Sequence, residues 1–268
     1  MPYLMHNGQS LYYTDAGHGS IAIVFSHGLL MDQDMFHSQI EFFKDKYRCI
    51  AWDERGHGQT ASESIELFNY YDSADDLVAI LDTLHIDKAI LVGMSQGGYL
   101  SLRCALKYPD RVSALVLIDT QAQLEDQEKL GHYQQLIDDW INNGLTQEVS
   151  DFIASVILGD NAPERFLWQE KWKGWKPHNL AASFNALIDR KDISDDIEKL
   201  NLPALVIHGE NDIAISLDRA KDMATRLNAE LAIIAEAGHA ANLTHAEPVN
   251  KIMANFIDTI SNNLSSFT

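Results

Sequence analysis

The sequence predicts an α/β fold, a mostly parallel central sheet flanked by helices and interrupted by a helical insertion. Three features of the 268-residue chain carry that expectation. Short apolar, β-branched runs alternate with amphipathic stretches from Gln9 to Asp119, which is the rhythm of β-α units. The rhythm lapses between about Gln121 and Leu200 into polar and aromatic helix-like sequence, and it resumes at Pro203.

In chain order, Leu11 to Thr14 reads as an early antiparallel strand. Ile21 to Ser26, Arg48 to Trp52, Ala89 to Val92 and Ala114 to Ile118 read as buried strands, because parallel strands covered on both faces appear as continuous apolar runs. Ala74, Leu77, Val78, Leu81 and Leu84 recur at helical spacing, and Ser73 with Asp76 forms an S-x-x-D capping start. Gln96 to Lys107 is a second helix, stopped where Pro109 removes a donor and restricts Tyr108. In the insertion, Trp168, Trp172 and Trp175 fall at i, i+4 and i+7, so one helix would carry them on one face, with Gly174 working against it. After Pro203, P-A-L-V-I-H-G-E-N-D and Leu231 to Ile234 supply strands, and a last helix begins near Glu247 and Pro248. The tail Ser261 to Thr268 is expected to fray. The expected organisation is a core of residues 1–120 and 201–268 with a cap of 121–200.

Composition narrows the function. A formal net charge of -19 repels phosphate backbones and anionic headgroups, so neither nucleic acid nor a membrane surface is an expected partner. The hydrophobic fraction of 46% and the charged fraction of 22% belong to an ordinary globular chain. Cys49 and Cys104, both in apolar surroundings, read as buried thiols rather than a disulfide framework. The first ten residues lack the pattern of a secretory signal, and a cytoplasmic location is the expectation. No spacing of His, Cys, Asp and Glu suggests a metal site, and no Gly-rich phosphate fingerprint occurs, so no cofactor is expected.

Chemistry concentrates in G-M-S-Q-G, Gly93 to Gly97, which lies directly after a strand and directly before a helix. A serine there sits on a sharp turn that only small neighbours allow to close, and the helix N-terminus favours negative charge beside its hydroxyl. Ser95 is therefore a candidate nucleophile, and it needs a base on a later loop. His239, in A-G-H-A after the last strand run, fits that place; His245 reads as a surface or helix-entry residue, and His208 and His27 read as structural. The base in turn needs a carboxylate, for which Asp212 in H-G-E-N-D is preferred and Asp119 after L-V-L-I is the rival. The backbone amides of Leu29, in H-G-L-L, and Gln96 are the expected oxyanion donors. D-E-R-G-H-G, from Asp53, reads as an ordered loop whose charged members brace their neighbours. Leu30, Trp140, Trp168, Trp172 and Trp175 are the expected pocket residues.

Taken in order, H-G-L-L, D-E-R-G-H-G, G-M-S-Q-G-G, H-G-E-N-D and G-H-A resemble the α/β-hydrolase superfamily over nearly the whole chain outside the insertion. H-G-L-L-M-D-Q-D-M-F is similar to the opening of small bacterial arylesterases, cofactor-free haloperoxidase-like enzymes and lactonase serine hydrolases. That resemblance implies the α/β-hydrolase fold, an oxyanion role for the Leu29 amide, and acyl transfer on a small-molecule ester or lactone without a cofactor. Serine at position 95 departs from the haloalkane dehalogenases and epoxide hydrolases, which carry Asp there, and Gln96 departs from the methionine or leucine of many relatives. Opening of acyl-homoserine or other lactones, carbon-carbon hydrolysis and non-enzymatic ligand reception stand as alternatives on the same scaffold.

Overall fold

A computed structural model describes residues 3–265, without side-chain description for 263–265. Its strands are β1 (Tyr3–His6), β2 (Gln9–Ala16), β3 (Ala22–Ser26), β4 (Arg48–Trp52), β5 (Ala89–Met94), β6 (Val112–Ile118), β7 (Ala204–Gly209) and β8 (Glu230–Ile234). Its α-helices are α1 (His37–Phe43), α2 (Tyr70–Thr83), α3 (Gln96–Lys107), α4 (Gln127–Asn143), α5 (Gln147–Leu158), α6 (Arg165–Trp172), α7 (Pro177–Ile188), α8 (Ser194–Ile197), α9 (Leu217–Arg226), α10 (Ala241–Thr244) and α11 (Ala246–Ser265).

The strands form one sheet in the order β1-β2-β4-β3-β5-β6-β7-β8. β1 and β2 are antiparallel to their neighbours, and β3 to β8 run parallel. Side chains alternate between the two faces with period two, as a pleated strand requires. Val24, Ile50, Leu91, Leu115 and Val206 join α2, α3 and α9 in one apolar layer. Ile23, Cys49, Ile90, Val116 and Ile207 join α1 and α11 in the other. This double coverage explains the uninterrupted apolar runs of β3, β5 and β7, every residue of which is buried.

Helix α2 starts one turn earlier than S-x-x-D implies. Asn69 accepts from the Tyr71 amide at 2.8 Å and Asp72 accepts from the Asn69 amide at 2.8 Å, which is the same reciprocal cap four residues upstream. That leaves Asp76 free to hold the Arg55 guanidinium at 2.8 Å. β1 is an element that the sequence reading lacks. Helix α11 continues through Ser265, so the first five residues of the tail expected to fray are helical, and residues 266–268 lie outside the described residues.

The helical insertion α4 to α7 leaves the sheet between β6 and β7. Helix α6 ends at Trp172; Gly174 and Trp175 follow in turns closed by bonds to the Lys171 and Trp172 carbonyls, and Pro177 opens α7. The three tryptophans therefore do not share one helix face. Trp168 and Trp172 are buried in the layer that also holds α1 and α11, while Trp175 stands edge-on to His57 with ring centres 4.9 Å apart. Among the described residues no helix is long and apolar enough to cross a membrane.

Candidate active site

The turn between β5 and α3 places Ser95 at φ 49° and ψ −112°, a conformation that costs a non-glycine residue about 1–3 kcal/mol. Packing imposes it. A Cβ at Gly93 would overlap the Gly97 carbonyl oxygen, and one at Gly97 would overlap the Ser26 carbonyl oxygen, so only glycine lets α3 approach β3 and β5 this closely. The Ser95 amide donates to the Ile118 carbonyl at 2.9 Å, which locks the turn onto β6.

His239 follows β8 and approaches from the other side. Its Nε2 lies 3.0 Å from Ser95 Oγ, and its Nδ1 lies 2.8 Å from Asp212 Oδ2. The other Asp212 oxygen accepts from the Ala214 and Ile215 amides at 2.7 and 2.9 Å, so the carboxylate is held by its own loop and aimed by it. Burial opposes charge on His239, but the charge and hydrogen bond of Asp212 outweigh it and raise the imidazole pKa above its ordinary value. Burial likewise opposes charge on Asp212, and His239 more than offsets it, holding the carboxyl below its usual range.

Asp119 is spoken for elsewhere. Its two oxygens accept from the amides of Gly209 and Ala241 at 2.7 and 2.9 Å, tying β7 to the loop that carries His239. Burial, then the nearby charge of Asp212, pushes its pKa up to about 8. Asp119, His208 and Asp212 lie close enough to hold an ion; the Asp119 oxygens are bonded to these amides, Asp212 to His239 and its own loop, and His208 Nε2 to the Ile215 carbonyl at 3.0 Å, while His208 Nδ1 stands 3.6 Å from Asp119 without a hydrogen bond.

Leu29 and Gln96 both face the cavity that contains Ser95, and among the described residues neither backbone amide donates to an acceptor within the chain. The orientation of the Leu29 amide has a visible cause. His27 Nε2 accepts from the Glu54 amide at 2.9 Å, which leaves the ring proton on Nδ1, and Nδ1 donates to the Gly28 carbonyl at 2.8 Å. In a trans peptide the N–H points opposite to the C=O, so the Leu29 amide is turned away from His27. Burial pushes the His27 pKa down to about 4, keeping the ring neutral as this tautomer requires.

The cavity holds about 250 Å³ and has two unlike walls. Loops of the sheet contribute Leu29, Leu30, Ser95, Gln96 and His239; the insertion contributes Leu136, Phe152, Ile153, Val156, Ile157 and Phe184. A polar corner is formed by Glu125 and Lys129, paired at 3.0 Å, and Lys129 also donates to the Ala214 carbonyl beside Asp212.

Of the expected pocket residues, only Leu30 lines this cavity. Trp140, Trp168 and Trp172 are spent on internal packing, and the Trp172 indole donates to the Leu30 carbonyl at 2.8 Å. Trp175 lines a separate cavity of about 340 Å³ on the far side of Leu30 and Met31. The apolar wall that sequence reading missed comes largely from α5. Phe152, Ile153, Val156 and Ile157 repeat at helical spacing there, and that periodicity is its legible signal.

The family described as alpha/beta hydrolase fold matches residues 21–246 of the chain. The bifunctional esterase/perhydrolase DCH of Acinetobacter calcoaceticus is 27% identical over 94% of this chain and 97% of its own. 3-Oxoadipate enol-lactonase 1 of Acinetobacter baylyi is 25% identical over 89% of each. A thermophilic esterase from Thermogutta terrifontis superposes with a TM-score of 0.87 at 24% identity, covering 96% of this chain and 97% of that one, a likeness of fold.

Proposed function

The chain belongs to the α/β-hydrolase fold family, and on that footing we propose that it is a serine hydrolase that cleaves a carboxylic ester or lactone through an acyl-enzyme on Ser95. The observation that carries this reading is the continuous line from Ser95 Oγ through His239 to Asp212, at 3.0 and 2.8 Å. His239 takes the Ser95 proton as the oxygen attacks the carbonyl, and Asp212 stabilises the imidazolium that forms. The amides of Leu29 and Gln96 hold the oxyanion at the N-terminus of α3. His239 then protonates the leaving oxygen, and water attacks the acyl-enzyme with His239 again as base. In a lactone the leaving oxygen stays tethered, and water releases a single hydroxy acid.

The esterase/perhydrolase and enol-lactonase relatives support an ester or lactone as the bond attacked. The cavity supports a small substrate with an apolar acyl or ring portion, since α5 and α7 line it with Phe152, Ile153, Val156, Ile157, Phe184 and Leu187. The test is initial hydrolysis rates over p-nitrophenyl esters of increasing acyl length and a matched lactone series. Turnover in one series that Ser95→Ala removes is the expected result. Hydrolysis that survives Ser95→Ala, or none in either series, overturns the reading.

A further inference from the structure

Glu54 stands outside the triad and is 2% exposed, in the loop after β4 that sequence reading assigned to bracing alone. Its two polar ends reach different partners. The backbone N–H donates to His27 Nε2 at 2.9 Å, the bond that sets the His27 tautomer and through it the Gly28–Leu29 peptide. The carboxyl oxygen Oε2 accepts from the side-chain amide of Gln96, whose Oε1 in turn accepts from the Tyr70 hydroxyl at 3.4 Å. Gln96 is the first residue of α3 and is 1% exposed, so its side chain is pinned between the loop after β4 and the start of α2.

We propose that Glu54 is a positioning residue for the oxyanion site, its backbone orienting the Leu29 amide through His27 and its carboxyl group orienting the Gln96 amide. The proposal rests on the serine-hydrolase reading. Two donors on separate loops, one after β3 and one after β5, must converge on a single oxygen, and misplacement of about 1 Å can cost 100-fold in rate. One buried residue bonded to both loops supplies that registration. Its cost is visible: burial pushes the Glu54 pKa up to about 8, and an apolar pair would fill the same space without a desolvation penalty. Placing a carboxyl group and an amide in contact there gives direction where an apolar contact gives only volume.

The side-chain limb is tested with Glu54→Leu, Gln96→Leu, the double variant and Glu54→Gln, measured by thermal midpoint, by kcat and KM on a p-nitrophenyl ester, and by the rate at which a p-nitrophenyl phosphonate modifies Ser95. Replacing both buried partners by apolar groups is near neutral or stabilising, so the double variant, made and compared in a Tyr70→Phe background that removes the hydroxyl Gln96 would leave unpaired, keeps that background's midpoint or exceeds it. Its kcat and phosphonylation rate fall together by about 10- to 100-fold with KM little changed, since the oxyanion donors act on the transition state. Glu54→Gln, which retains an acceptor for Gln96, recovers most of the rate. A double variant with wild-type kcat and phosphonylation overturns the proposal, as does a loss that follows a lowered midpoint and that Glu54→Gln does not relieve. A wild-type chain whose Ser95 is phosphonylated while no ester turns over defeats the ester reading alone, and the phosphonylation rates still decide the role of Glu54. A wild-type chain with inert Ser95 defeats both.

Discussion

On the sheet side of the cavity, Ser95, His239 and Asp212 are linked at 3.0 and 2.8 Å, and the Asp212 loop, His27 and Glu54 add further directed bonds behind them. Across from them, α4, α5 and α7 offer Leu136, Phe152, Ile153 and Phe184, whose contacts are non-directional, with Glu125, Lys129, His132 and Tyr133 as the polar exceptions. The first wall tolerates little displacement, because hydrogen bonds weaken steeply with angle and the strained turn at Ser95 is held by close packing and by its bond to Ile118. The second wall tolerates exchange of similar volumes. Chemistry and selection are thus separated in space, and substitutions on the two walls are expected to differ in size and in the kinetic constant they move.

The largest effect, after loss of Ser95 itself, is expected from Asp212→Asn, which presents His239 with the wrong hydrogen-bonding partner and lowers kcat by about 10⁴-fold. Asp119→Asn is the discriminating control. It removes one of two acceptors for the Gly209 and Ala241 amides, so stability falls by about 1–3 kcal/mol and the thermal midpoint drops several degrees, while kcat falls by about 10-fold or less. The reverse ranking in kcat would make Asp119 the acid.

The pH profile is a second probe of the same wall. Proton abstraction from Ser95 needs neutral His239, whose pKa is raised above 6.5, so kcat/KM rises with pH along a limb centred above 6.5. Replacing Asp212 by Asn removes the main raising influence and moves that limb to lower pH. His27, neutral above about 4, adds no inflection between pH 5 and 9. A limb centred well below 6.5 in the wild type would break the coupling between His239 and Asp212.

The two walls also differ in how much of them the sequence reveals. Arg48–Trp52 and Gln96–Lys107 are read with their observed bounds because each is a run of one period ended by turn residues or proline. The start of α2 is misread because Asn69 with Asp72 and Ser73 with Asp76 carry the same capping chemistry four residues apart, and propensity does not choose between them. The strand Tyr3–His6 is short and half-exposed, too little signal for a period. In the insertion, spacing places tryptophans on a face but does not state which body that face meets, and Trp168 and Trp172 meet the packing layer instead of the cavity. Gln96 announces itself as a polar residue where apolar ones are common; only the fold brings Glu54 to it.

The smallest effects belong to the second wall and sharpen the comparison most finely. Phe152→Ala or Ile153→Ala removes apolar surface from the cavity without touching a hydrogen bond of the triad. At about 25 cal/mol per Å² of buried apolar area, such truncations raise KM several-fold for the longest acyl chains bound and leave kcat for the shortest nearly unchanged. Trp175→Phe is the contrasting substitution on the far side of Leu30, where the ring meets His57 and the second cavity. It leaves the chain-length profile as it was. A profile that moves with Trp175 and ignores Phe152 would place the acyl group beyond Leu30, and the wall that selects substrate would then be the one built by α6 and the turn after it.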